Sequence, residues 1–501
     1  MTPEHVNVLV VGAGLSGICT AYHLQDKCPD KSYAILEARG ASGGTWDLFR
    51  YPGVRSDSDM YTLGFRFRPW PDAKAIATGP AILSYIRETA AMYGIDDRIR
   101  YNHRVVRAGW SSADSRWTVE AERTDGGEPV TLTCDFLFVA SGYYRYDEPY
   151  TPTFAGAERF GGAIVHPQRW TEDVDYAGKR VVVIGSGATA VTLVPAMARD
   201  AAHVTMLQRS PSYVVARPGE DSVARGLRRF LPQRLVYPVV RWKNVLLTML
   251  SFQLSRRRPH VAKAIIRKGV ERQLPPGYAV DPHFKPNYNP WDQRLCLVPD
   301  GDLFEAVRAG SASIVTDTID SFTETGIRLA SGDELEADLV VPATGLNMLP
   351  LGGIEIAVDG EPVSLPEHMT YKAMLLSEVP NLAYAVGYTN ASWTLKCELT
   401  AEYLCRLLNH MDEHGHAVVV PRRDPTVASE PIIDFNSGYI RRGVGLFPTQ
   451  GSRRPWRLRQ NYALDLLELR FGDVEDDALE FSGYRQSAMA GSTEARFSLS
   501  P

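Results

Sequence analysis

The chain has 501 residues, enough for two or three domains with separate cores. Its composition, 44% hydrophobic and 23% charged, is that of an ordinary globular protein, and a formal net charge of −5 gives no reason to expect nucleic acid as a partner. The six cysteines (Cys19, Cys28, Cys134, Cys296, Cys397 and Cys405) form no CxxC or other ligand-like spacing, so no metal is expected. With no signal peptide, reduced thiols in a cytoplasm are expected.

In chain order, the first unit reads strand, glycine turn, helix, strand. The apolar run 7–11 is too short for a signal sequence and leads straight into Gly12-Ala13-Gly14-Leu15-Ser16-Gly17. Ile18, Ala21 and Tyr22 follow at helical spacing, and a second strand, 33–36, ends at Glu37. In GxGxxG the first glycine (Gly12) allows the tight turn and the second (Gly14) lets backbone approach a pyrophosphate. The third (Gly17) lets helix and strand pack closely. A carboxylate twenty residues on, here Glu37, accepts hydrogen bonds from ribose hydroxyls. This unit is assigned to FAD.

A second such unit starts with the strand 180–184, followed by Gly185-Ser186-Gly187-Ala188-Thr189-Ala190 and an apolar helix. Its partner strand ends in Gln208-Arg209-Ser210, where the first unit has its carboxylate. An arginine there can bind a 2′-phosphate bidentately, so Gly185, Ser186, Gly187, Thr189, Arg209 and Ser210 are assigned to NADPH. The segments 135–142 and 338–345 each read as an acid, a buried strand and a small-residue turn, where the chain passes between domains.

Within the stretch 217–290, residues 225–268 carry twelve Lys and Arg among apolar residues at helical spacing, with few acids nearby. A helical insertion is predicted. A solvated basic face is the preferred reading, and peripheral contact with a membrane surface is the alternative. The apolar stretch 235–254 is interrupted by Arg241 and Lys243, against a membrane span. The fold class is thus α/β, two Rossmann-like dinucleotide-binding domains with a helical insertion in the second. The FAD domain comprises 1–145 and 346–481, and the NADP domain 146–216 and 291–345. The insertion is 217–290, and a disordered tail is expected over 482–501.

Two motifs are more specific. Gly43-Gly44-Thr45-Trp46 is followed after four residues by Tyr51-Pro52-Gly53-Val54-Arg55-Ser56-Asp57. Phe160-Gly161-Gly162 is followed by His166 and then Trp170. Together they resemble the two fingerprints of the Baeyer–Villiger monooxygenases, a class of FAD- and NADPH-dependent enzymes. The first matches throughout. The second departs at Thr171, where the family has Pro or Asp. The segments 50–61, 289–296 and 387–394 are similar to a mycobacterial branch of that family.

The resemblance implies oxygen insertion next to a ketone carbonyl to give an ester through a C4a-peroxyflavin, with sulfoxidation as a side activity. Substrates would be O₂ and a small lipophilic ketone or thioether. It also implies a catalytic cation, Arg294, oriented by Asp57. FAD would be held by Gly44, Thr45, Trp46, Asp57 and Tyr61 besides the glycine loop. The linker motif (Phe160, Gly162, His166 and Trp170) would couple NADPH binding to flavin position. Gln293 stands where many members have a lysine that helps bind the 2′-phosphate, which leaves Arg209 to carry the NADPH preference. An S- or N-oxygenase and a flavin-dependent NADPH oxidase or reductase are the alternatives.

Overall fold

The structure, a computed structural model, describes residues 3–433 and 437–484. Strand Glu4–Val11 lies between Tyr33–Leu36 and Val130–Val139, parallel to both. Its last four residues are all buried, the pattern of a strand covered on both faces. Beyond Val130–Val139 the sheet continues with antiparallel Arg116–Arg123 and His103–Ser111. The C-terminal half returns to the same sheet: Leu382–Tyr384 pairs with Val130–Val139, and Glu355–Val358 with His103–Ser111. Helix Leu15–Lys27 covers one face and packs against the long helix Trp393–Glu413.

The second sheet is entirely parallel, in the order Ala312–Thr316, His203–Gln208, Arg180–Ile184, Leu339–Pro342, Ala163–Ile164. Val181, Val182, Val183 and Ile184 are all buried, because helices cover one face and a small antiparallel sheet (Ile319–Phe322, Gly326–Leu329, Glu334–Glu336) lies near the other. The fold is therefore α/β with two Rossmann-like domains.

The insertion contains helices Ser222–Leu227, Gln233–Arg257 and Pro259–Gln273. Although it interrupts the NADP domain in sequence, Val236, Tyr237, Val240 and Val245 are buried in the core of the FAD domain. Val270 and Leu274 enter the NADP core. Most of the basic residues of the run are exposed, as expected of a solvated face, but Arg241 is not. Arg241 is 4% exposed, forms an ion pair with buried Glu398 and donates to the carbonyls of Tyr61 (2.9 Å) and Gly64 (2.7 Å). Lys243 pairs with Asp221. A buried guanidinium needs this many acceptors because its desolvation is costly.

Leu479–Tyr484 pairs with His416–Pro421, so the expected start of a disordered tail at 482 falls inside a strand. The rest of that tail, 485–501, lies outside the described residues. All six cysteines are buried and free of disulfides. Among the described residues no helix is long and apolar enough to cross a membrane.

Candidate active site

The first glycine loop is built by steric necessity. Gly12 has φ +106°, and a Cβ there would lie 2.7 Å from the carbonyl oxygen of Ala140. A Cβ on Gly17 would lie 1.9 Å from the carbonyl oxygen of Gly12. Gly14 faces Gly44, whose φ is +55°, and a Cβ on Gly44 would come within 3.2 Å of the Gly14 Cα. Two bare stretches of backbone therefore lie side by side at the start of helix Leu15–Lys27. That cradle fits a pyrophosphate seated on a helix N-terminus. Glu37, 6% exposed, accepts from the amides of Ala13 (2.7 Å) and Arg39 (3.0 Å), and burial pushes its carboxyl above the ordinary range. The Thr45 and Tyr146 hydroxyls are 2.9 Å apart, and Trp46 packs half-buried on the FAD core. Tyr61, assigned to the cofactor from sequence, is fully buried, and its hydroxyl accepts from Arg228 at 3.1 Å. Its side chain packs the core and lines none of the cavities described below.

The second loop follows the same logic. Gly185 has φ +139°, and a Cβ there would sit 2.4 Å from the carbonyl oxygen of Ala343. A Cβ on Gly187 would meet nothing within 4 Å, so the approach to helix Ala188–Met197 is open. The Ser186 hydroxyl donates to the carbonyl of Ser210 at 2.9 Å, which ties the loop to the end of the next strand. Arg209 is exposed there and enters no ion pair among the described residues. The site has an open helix N-terminus and a nearby cation, which fits a dinucleotide with an extra phosphate.

The first fingerprint forms a bridge between the domains. Tyr51 packs against the NADP core. Gly53 is pressed on helix Ala188–Met197, where a Cβ would lie 2.6 Å from that of Ala196. Arg55 forms an ion pair with Asp302 and donates to the carbonyl of Val191 at 3.4 Å. At the end of this loop Asp57 Oδ2 accepts from Arg294 Nη1 at 2.7 Å, an ion pair between residues 237 positions apart. The Asp57 carboxylate holds the Arg294 charge firmly, shifting its pKa upward against the opposing effect of burial.

Arg294 borders two spaces. One is a cavity of about 610 Å³ that also touches Asp57, Leu247, Ile265, Trp291 and Asn390. The other is a small recess among Tyr143, Tyr388, Trp393, Tyr439 and Phe447. Sequence reasoning singled out none of these aromatic residues for the site. They come from three distant segments, and periodicity carries no sign of their convergence. Trp291 offers one local signal, its place beside Pro290 in the segment that carries Arg294. It adopts φ +70°, a strained conformation for a bulky residue.

The linker motif lies apart from both spaces. Phe160 packs edge-on to Phe322, and a Cβ on Gly162 would lie 2.5 Å from the carbonyl oxygen of Asp338. His166 Nδ1 accepts from the amide of Gln168 at 3.1 Å, and burial lowers the imidazole pKa. Trp170 packs in the NADP core with Tyr176 as its ring neighbour. Gln168, unnoticed in the sequence, donates to the carbonyls of Arg145 (2.9 Å) and Tyr146 (2.8 Å). It fastens the linker beside the tyrosine that contacts Thr45.

Two dinucleotide cradles in one chain, together with a cavity that a fixed cation borders, fit a flavin- and nicotinamide-dependent oxidoreductase. The flavin-binding monooxygenase-like family matches residues 73–348, more than half of the chain, and an NAD(P)-binding Rossmann-like domain matches residues 10–77. The chain belongs to the flavin-binding monooxygenase-like family, with FAD and NADP as its cofactors. It is 56% identical over 481 residues to the FAD-containing monooxygenase EthA of Mycobacterium tuberculosis, covering 96% of this chain and 98% of that protein. It is 45% identical to the probable FAD-binding monooxygenase AlmA of Acinetobacter baylyi, covering 95% and 96%. Its fold is shared with an oxidised steroid monooxygenase bound to NADP (22% identity, TM-score 0.74, 95% of this chain and 99% of that one). It is also shared with cyclohexanone monooxygenase from Rhodococcus sp. Phi1 bound to NADP+ (20% identity, TM-score 0.69, 85% and 87%).

Proposed function

We propose that this monooxygenase inserts oxygen next to the carbonyl of a lipophilic ketone, giving an ester, and that it oxidises thioethers as a second activity. The carrying observation is the Asp57–Arg294 ion pair at the wall of the 610 Å³ cavity. FAD, reduced by NADPH, supplies the activated oxygen when bound. The protein's part is electrostatic and geometric. Ketone attack builds negative charge on the carbonyl oxygen, and a guanidinium stabilises that charge without giving up its proton, since its pKa exceeds ~12. One preorganised donor of this kind is typically worth about 3 kcal/mol of barrier. Asp57 fixes the guanidinium in place, and reacting atoms held within ~3–3.5 Å need such fixing. Leu247, Ile265, Ile266 and Trp291 give the cavity an apolar side, beside polar residues such as Asp59, Glu220 and Lys243, and that side favours lipophilic substrates.

Incubation of the FAD-loaded enzyme with NADPH, O₂ and either phenylacetone or a thioether tests this. Ester is expected from the ketone, falling about 100-fold or more in Arg294→Ala. Sulfoxide with no ester would make the protein an S-oxygenase. NADPH-dependent peroxide without an oxygenated product would make it an oxidase.

A further inference from the structure

Helix Gln233–Arg257 is amphipathic in the unusual sense. Its inner face carries the buried Arg241, while its outer face carries Leu235, Val239, Trp242, Leu246 and Leu250 at helical spacing, each 40–65% exposed. Before the helix, Phe230 is 86% exposed. The Trp242 ring lies 5.8 Å from that of Tyr462, which joins the stripe to exposed Leu464, Leu467 and Phe471 on the neighbouring helix Tyr462–Phe471. Single exposed leucines are ordinary on soluble proteins. A continuous apolar stripe of this length marks a docking surface.

The charge around the stripe says what docks. Residues 222–270 contain twelve Lys and Arg and no Asp or Glu, in a chain whose net charge is −5. Arg241 and Lys243 are used in internal pairs, as are Arg256 and Arg267. Arg229 and Arg234 at one end of the stripe, and Arg257, Arg258 and Lys268 at the other, are exposed and form no ion pair among the described residues. Two copies meeting through this face would bring like charges together, which argues against self-association. An anionic lipid surface satisfies both features. Apolar side chains enter the acyl boundary while the cations remain at the headgroups.

We propose that the outer face of helix Gln233–Arg257 docks the protein on anionic membranes, with the helix lying in the plane of the interface. Leu247 and Leu254, both exposed, also line the 610 Å³ cavity, so docking brings that cavity close to the bilayer. Docking itself stands independently of the reaction proposed above.

The test is flotation of the FAD-loaded, full-length protein with vesicles of phosphatidylcholine, pure or mixed with phosphatidylglycerol. Binding to the mixed vesicles is expected, weakening as salt rises. The variant Arg229→Gln/Arg234→Gln/Arg257→Gln/Arg258→Gln should bind roughly 100-fold more weakly, since each surface cation multiplies affinity several-fold. Val239→Gln/Leu246→Gln/Leu250→Gln should lose binding while keeping its FAD absorbance and thermal midpoint, because these side chains face outward. Equal binding to both vesicle types, or none at low salt, would overturn the proposal. So would a dimer in solution that the leucine variants dissociate, which would give the face to a second copy.

Discussion

Gly185 and Gly187 sit two positions apart in one motif and fail differently when substituted. At Gly185, φ +139° and a 2.4 Å approach to the Ala343 carbonyl make Gly185→Ala a folding defect, costing more than about 1 kcal/mol in a thermal melt. Gly187 has φ −81°, which any residue adopts, and open space in front of it. Gly187→Ala should keep the wild-type melting temperature and raise the NADPH KM about tenfold, because its methyl meets no protein atom and would crowd only a pyrophosphate bound at the loop. If both variants melt alike, the division is wrong. Arg209→Ala should raise the NADPH KM sharply and the NADH KM little. Equal effects on the two cofactors would show that Arg209 does not read the 2′-phosphate. The motif glycines were legible in the sequence because each has a steric reason of its own. The partnership of Asp57 and Arg294 was not, since without the family resemblance either residue is one of many charges and nothing local joins positions so far apart.

Among the elements, the strands were the easiest to foresee. The predicted strands 33–36 and 180–184 coincide with Tyr33–Leu36 and Arg180–Ile184, because unbroken apolar runs between turn signals leave little choice. The insertion shows the limit. Its helical period was visible, but which face turns inward depends on partners elsewhere. Arg241 is inside because Glu398, on helix Trp393–Glu413, offers a carboxylate at that point. Removing one half of a buried pair leaves an uncompensated charge and typically costs about 3–5 kcal/mol. Glu398→Leu should therefore lower the thermal midpoint markedly, and adding Arg241→Met should restore most of the loss. A double variant no more stable than the single would mean the pair contributes through something other than charge balance.

For the whole molecule, the acid limit of stability has an identifiable contributor. His23 is 3% exposed, both its ring nitrogens are buried without hydrogen-bond partners, and burial, aided by Lys27, Arg66 and Arg470, pushes its pKa from 6.5 down to about 3. Between those values the unfolded chain binds a proton that the folded one refuses, so stability falls as pH drops below 6.5. At pH ~5 the loss is about 2 kcal/mol. Thermal midpoints measured from pH ~7 to ~5 should decline less steeply in His23→Leu than in the wild type; parallel curves would exclude His23 as the cause.

The return of the C-terminal half to the first sheet also constrains how the protein is made. Helix Leu15–Lys27 is covered by Trp393–Glu413, through contacts such as Trp393 to Ser16 at 3.1 Å, and Leu382–Tyr384 extends the strands that the N-terminus begins. At ~5–20 residues per second, a ribosome needs on the order of 20–80 s to deliver those partners. For that interval Ile18, Cys19 and Leu24 have no lid, and the nascent chain carries an open apolar surface. Soluble yield during expression should therefore depend on what shelters the first thirty residues until the chain has been made as far as helix Trp393–Glu413.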